Sequence, residues 1–225
     1  RRRNATTILG VANAVPGAGT IGAPKCRTSA GRFGAKVHRL LLDLAMQLLW
    51  SPEERVLIHA EGLVLREWTY EDVPVMVGLF DTDEMNQWTP LPSPFNNKVA
   101  ERYVDAPHQL RAQTGALQLA ITEDACTPLG EVLAFPGSSE NSVELAYAVG
   151  ADHQGRGLAR RAILAALALA TRAGATEAEL VISMDNVCSQ RVARATGFHR
   201  SQQPLTQRRR KGFLMTIAAW ERTLS

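Results

Sequence analysis

The chain has 225 residues, 45% of them hydrophobic and 21% charged, with 17 Gly and 11 Pro; this excludes collagenous, coiled-coil and wholly disordered classes and leaves ample apolar material for a core. Three cysteines, Cys26, Cys126 and Cys188, form no CxxC pair and leave one thiol over however they pair. A disulfide scaffold and a zinc signature are therefore excluded, and a reducing, cytoplasmic compartment is expected.

The net charge of +3 is unevenly spread. Residues 1–54 hold eight Lys/Arg against three acids, a net of +5, which leaves 17 bases against 19 acids, a net of −2, in the remainder. Residues 1–37 are small and polar, without apolar periodicity, and are expected to be disordered. An apolar run at 40–50 reads as one short helix ending before Pro52, too short to span a bilayer. The Arg-rich, acid-poor composition has the flavour of a transit peptide, yet the apolar run starts far from the N-terminus and no small-residue cleavage site follows it, so an extension without a folded role is the preferred reading. The expected organisation is thus a basic extension over 1–55 and one domain over 56–225.

From Val56 onward the pattern is regular. Residues 63–69 (LVLREWT) alternate as a strand, and Asp72 is expected to cap a helix through Phe80, with Pro74 in its first turn. Three prolines predict an irregular loop over 86–96. A helix follows over 97–113, stopped by Gly115, then strands at 116–122, 130–135 and 143–149, whose short connections imply antiparallel neighbours. Residues 158–173, nearly all Ala, Leu and Ile with interspersed arginines, predict a long helix ended by Gly174. A buried strand at 179–184, a helix at 186–196 ended by Gly197 and a last strand at 212–220 complete the chain. The strand-helix-strand passage from 143 to 184 implies one parallel or splayed pairing in a mostly antiparallel sheet. The expected class is α+β, with six to seven strands and about four helices.

The chemistry concentrates where the 143–149 strand meets the long helix: Ala148-Val149-Gly150-Ala151-Asp152-His153-Gln154-Gly155-Arg156-Gly157-Leu158-Ala159. Two glycines at a helix N-terminus gather unpaired backbone N–H groups at the positive end of the helix dipole, which is how a chain binds phosphate. Arg156, Arg160 and Arg161 add charge; a tight turn without a ligand is the alternative. A dinucleotide fold is disfavoured because Arg160 stands where GxGxxG needs its third glycine, and no Gly-Lys-Ser/Thr exists for a Walker loop.

Gln154-Gly155-Arg156-Gly157-Leu158-Ala159 resembles the Q/R-x-x-G-x-G/A signature of the Gcn5-related N-acetyltransferases (GNAT), in which this loop holds the pyrophosphate of coenzyme A. The resemblance extends to LVLREWTYEDV and to Asn186-x-x-Ser189-x-x-Val192-Ala193-x-x-x-Gly197-Phe198, flanks similar to those of the Rim-type acetyltransferases of ribosomal-protein N-termini. It implies an acyl-CoA N-acyltransferase fold over 56–225, acetyl-CoA as acyl donor without a metal, and a primary amine as acceptor, either a protein N-terminus or a small molecule. Gln154, Gly155, Arg156, Gly157, Leu158 and Ala159 would hold the pyrophosphate, with Ala148, Val149 and Gly150 pairing with the pantetheine arm and Asn186 touching it while capping its helix.

Acetyl transfer needs a base for the ammonium, an N–H for the oxyanion and an acid for the thiolate. Glu144, beside Ala146 and Ala148 on one face of its strand, is the implied base; a salt-bridged strand Glu is the alternative. Many family members carry a Tyr acid where Ala193 stands here, so Ser189 is the implied donor, with a surface serine as the alternative. Cys188 is assigned to packing, and Arg208-Arg209-Arg210-Lys211 to a loop bordering the acceptor site or a solvated hairpin tip. Two other readings stay beside the enzyme: a non-catalytic acyl-CoA sensor, and a nucleic-acid binder using the basic ends, which no aromatic-basic interleaving supports. No membrane partner is expected; homodimers are common in the family, and the residues carry no signal for one.

Overall fold

The computed structural model describes residues 7–8, 56–114 and 116–225. The short helix expected at 40–50 and most of the basic extension lie outside the described residues. The described elements run β1 (Thr7–Ile8), β2 (Leu57–Ala60), β3 (Leu63–Arg66), α1 (Val73–Phe80), α2 (Asp83–Trp88), α3 (Asn97–Thr114), β4 (Leu117–Thr122), β5 (Gly130–Pro136), β6 (Ser142–Val149), α4 (Leu158–Arg172), β7 (Glu177–Ser183), α5 (Val187–Ala195), β8 (His199–Arg200), β9 (Thr206–Arg210) and β10 (Phe213–Thr223). One sheet takes the order β2-β3-β4-β5-β6-β7-β10-β8, with β1 on β6 and β9 on β10. Every pairing is antiparallel except β6 with β7, so the expected mixed α+β sheet is present, longer than expected and with five helices among the described residues.

Helices cover both faces. On one, α4 lays Leu158, Ala162, Ile163, Ala166 and Ala170 against Leu145, Tyr147, Leu180 and Ile182 of the sheet. Alanine on that stripe lets the helix axis approach closely, and each fully buried Leu or Ile contributes roughly 1.5–3 kcal/mol. On the other face α1 and α3 bury Met76, Phe80, Ala100 and Val104 over Ala120 and Ala148, with Phe80, Phe95 and Tyr103 meeting edge to face at 5.5–6.2 Å between ring centres.

Three local readings are corrected, and one feature is added. The strand expected over 63–69 ends at Arg66, because Arg66 turns inward to a two-pronged ion pair with Asp72 at 2.7 and 2.8 Å. Asp72 itself does not cap through its side chain into α1; its carboxylate accepts the Thr69 N–H at 2.8 Å and closes a one-turn 3₁₀ segment, Tyr70–Asp72, that leads into the helix. The loop expected from 86 starts only after Trp88: Thr82 accepts the Met85 N–H at 3.2 Å, Asp83 and Glu84 favour the first turn, and α2 persists until Pro90 forbids another. The β2–β3 hairpin, unread in the sequence, turns on Glu61 and Gly62, both at positive φ (54° and 66°) as a two-residue turn of this hand requires.

Candidate active site

The parallel pair β6–β7 has a register of only three residues, Ser142↔Glu177, Val143↔Ala178 and Glu144↔Glu179. Beyond it β6 follows β5 to the pair Gly130↔Val149, while β7 follows β10 to Ile217↔Ser183. The two strands therefore diverge into a fork whose inner edges, residues 145–149 and 180–183, make no ladder with each other. Among the described residues the β6 edge is met there only by β1, at Tyr147 and Ala148.

Alternation along β6 sends Val143, Leu145, Tyr147 and Val149 to the α4 side and Glu144, Ala146 and Ala148 to the α1–α3 side. On the α4 side Asn186 caps α5, its Oδ1 accepting the Ser189 N–H at 3.0 Å. Ser189 is fully buried, which removes the surface-serine alternative. Its Oγ and the buried Tyr147 hydroxyl both lack a hydrogen-bond partner. Burial drives the Tyr147 pKa upward, and the Ser189 hydroxyl lies near enough to offset part of the rise. Tyr147 is the residue that sequence reasoning missed. The proton donor sought at Ala193 is absent from α5, and a phenol arrives in the same neighbourhood from β6; the signal was a lone hydroxyl on the otherwise apolar face of that strand.

On the opposite face Glu144 carries a buried Oε1 with no partner. Burial, and secondarily the charge of Glu179, push its pKa up to about 7, while Arg208 draws it back in part. Glu144 and Ser189 thus lie on opposite faces of the sheet, one on each side of the fork.

At the far end of β6, Gly155 and Gly157 adopt positive φ (76° and 74°), and Gly157 is the residue from which α4 springs, its carbonyl accepting the Arg161 N–H at 3.0 Å. The first-turn N–H groups of a helix have no intrahelical partners. Those of α4 follow immediately on the two left-handed glycines, the arrangement expected for a phosphate cradle. Side-chain charge contributes less than expected: Arg156 and Arg161 both pair with Glu123, and Arg161 also donates to the carbonyls of Glu61 and Gly62, strapping α4 to the β2–β3 turn. At Gly150 an added Cβ would stand 2.2 Å from Leu79 Cδ2, so a larger residue there requires the Leu79 side chain to shift. Glu84 of α2, also unread in the sequence, has a buried Oε1 without a hydrogen-bond partner; burial raises its pKa, with Gln154 offsetting part of the shift.

A second buried acid lies under this floor. Glu131, opposite Ala148 in the β5–β6 register, is fully buried and accepts from the Tyr103 hydroxyl at 3.0 and 3.1 Å and from Gln118 Nε2 at 3.4 Å. Burial outweighs these bonds and raises its pKa from 4.5 to about 7. The folded chain then holds a proton that the unfolded chain releases above about pH 4.5, so stability falls as pH rises from there to about 7, by an amount on the order of 3 kcal/mol for this group. Glu131→Gln, which keeps an acceptor for Tyr103, is expected to flatten that slope. Urea denaturation of both proteins at pH 5 and pH 8 measures it; an unchanged slope would show that Glu131 is ionised throughout.

The chain belongs to the GNAT acetyltransferase family: the acetyltransferase (GNAT) domain matches residues 62–199, more than half of the sequence. By that membership it is an acetyl-CoA-dependent acyltransferase. Among solved structures, the ribosomal-protein-S5-alanine acetyltransferase of Vibrio fischeri superposes with a TM-score of 0.64 at 16% identity, over 75% of this chain and 96% of that one. RimJ of Mycobacterium smegmatis, solved with CoA-disulfide, gives 0.64 at 17% identity over 77% and 88%. The microcin C7 self-immunity acetyltransferase MccE, solved with acetyl-CoA and AMP, gives 0.62 at 17% over 72% and 92%. At these identities the likeness establishes the fold. No curated protein matches the chain. Among the described residues no helix is long and apolar enough to cross a membrane, and no three His, Cys, Asp or Glu are grouped to hold a metal ion.

Proposed function

We propose that residues 56–225 transfer an acetyl group from acetyl-CoA to a primary amine, a protein N-terminus or a small molecule, by direct attack in a ternary complex. The observation that carries this reading is the fork: an unpartnered carboxylate on one face, two unpartnered buried hydroxyls on the other, and a phosphate-type helix start at its end. The backbone edge of Ala148, Val149 and Gly150 takes the pantetheine arm as it would an added strand, replacing the two-residue pairing with β1, and a backbone N–H there steadies the oxyanion. Gln154, Gly155, Arg156, Gly157, Leu158 and Ala159 supply the N–H groups for the pyrophosphate.

The amine enters from the Glu144 side. Glu144 accepts the ammonium proton, through water or directly, and the freed lone pair forms the C–N bond as the C–S bond breaks. The departing thiolate takes a hydrogen bond from the Ser189 hydroxyl, with Tyr147 behind it; the second proton, lost from the adduct nitrogen as the C–S bond breaks, passes to the thiolate through that hydroxyl, and Glu144 returns its proton to water. The buried hydroxyl pair supports the enzyme over the sensor reading, which rested on the missing helix tyrosine.

Ser189→Ala is expected to lower kcat about 10²-fold with little change in melting temperature, because the interaction of its hydroxyl with Tyr147 falls short of a formed hydrogen bond. Free-thiol release across a panel of amines, beside thermal denaturation, measures both. Acetyl-CoA binding without turnover on any amine would favour the sensor instead.

A further inference from the structure

The β9–β10 hairpin carries Arg208, Arg209, Arg210 and Lys211, and no acid lies between residues 201 and 220. Its tip is a tight two-residue turn with both Lys211 (47°) and Gly212 (85°) at positive φ. Two of the four cations are spent on holding the hairpin in place: Arg210 donates to the Trp88 carbonyl at 3.0 Å, and Lys211 to Asn86 Oδ1 at 2.8 Å and to the Leu91 carbonyl. Those acceptors are neutral groups. The hairpin is thereby tied to α2 and the loop after it.

Register decides where the remaining charge points. Arg208 pairs with Met215, Ile217 with Ser183 and Glu179 with Glu144. Directly paired residues share a face, and alternation by two keeps it, so Arg208, Met215, Ile217, Ser183, Glu179 and Glu144 all face the same side of the sheet. Arg208 is exposed and makes no ion pair among the described residues, yet its charge reaches Glu144. On that face β7 and β10 lie between the Glu144 strand and the Arg208 strand, so an acceptor lying across the face meets a negative group toward β6 and a positive one toward the hairpin. Placing Arg208 beside Arg210 also costs repulsion, which depresses the Arg210 pKa after burial has done so.

We propose that the acceptor is an amine bearing an anionic group, with its ammonium directed to Glu144 and the anion bound by Arg208. This rests on the amine-acetylation reading and names the class of substrate within it. The shared chemistry is an amine next to a carboxylate, which a free amino acid or an acidic residue near a peptide N-terminus both provide.

The test compares acceptors that differ only in that charge: an amino acid against its amide, and N-terminal peptides with Glu against Gln at the second residue. Wild type is expected to favour the acidic member of at least one pair by about tenfold in kcat/KM, mainly through KM. The pair that shows it identifies the source of the anion. In Arg208→Gln, assayed above about pH 8 where Glu144 is ionised with or without the arginine, the preference is expected to shrink to less than about twofold, with acetyl-CoA affinity and turnover of the neutral acceptor retained. Equal use of acidic and neutral acceptors by wild type overturns the proposal. So does a variant that loses both equally, or one that loses affinity for acetyl-CoA, which would assign Arg208 to the donor. If no amine releases thiol, the acetylation reading fails, and calorimetric binding of the same pairs to the CoA-loaded protein then decides this proposal: equal affinities overturn it.

Discussion

Glu144→Gln is expected to lower kcat for acetyl transfer by about 10²- to 10⁴-fold, the range over which a positioned base acts. The substitution keeps the size and one acceptor oxygen of the side chain but removes its capacity to hold a proton. Because burial and Glu179 raise the Glu144 pKa to about 7, the carboxylate form needed to accept a proton predominates only above that pH. Wild-type kcat/KM should therefore climb through an acid limb near pH 7, and the variant should lose that limb. A limb belonging to the acceptor's own ammonium moves when the acceptor is changed, whereas the Glu144 limb stays. The sign of the stability change separates chemistry from misfolding. A carboxyl with a raised pKa opposes folding above its unfolded value, so the glutamine variant is expected to be at least as stable as wild type at pH 8. A variant with full activity, or one that retains the limb, would exclude Glu144 as the base.

Gly130→Ala is expected to damage both the fold and donor binding. An added Cβ would lie 2.2 Å from the Ala148 carbonyl oxygen and 2.9 Å from the Val149 Cα. Both are backbone atoms of β6, so no side-chain rotation relieves the overlap, and the β5–β6 ladder must open at its Gly130↔Val149 pair. Overpacking of this kind typically costs about 1–3 kcal/mol, occasionally more, and the upper part of that range is expected because main chain has to move. The displaced segment is the one proposed to receive the pantetheine arm and the oxyanion. Acetyl-CoA affinity should thus fall even at temperatures where the variant remains folded. Chemical denaturation with equilibrium binding of acetyl-CoA measures the two effects; an alanine variant with wild-type stability would mean that the two strands are not packed this closely.

Local signals account for what the sequence determined by itself. The long α4 and its glycine start, the Asn186 cap, the Gly197 stop and the strand faces of β6 depend on neighbours within a few residues, and propensity, capping and alternation read such neighbours directly. The same logic misjudged 86–88, where proline density suggested loop but a Thr82 cap and two acids start a helix at Asp83 that runs to Trp88 before the first proline. What only the tertiary structure decided depends on groups far apart in the chain. The fork exists because β6 stays with β5 and β7 with β10, and no residue in either strand announces where they part. Tyr147 meets Ser189 across forty-two residues, and Arg208 reaches Glu144 across sixty-four, through pairings set by sheet order and twist. The raised pKa values of Glu131 and Glu144 are likewise tertiary, since an isolated strand glutamate is solvated and only the packed layers remove its water. The sequence thus sufficed to recognise the acyltransferase, while the placement of Glu144, of the Tyr147 and Ser189 hydroxyls and of Arg208, the groups proposed to act as base, proton donors and acceptor cation, became legible only in the folded sheet.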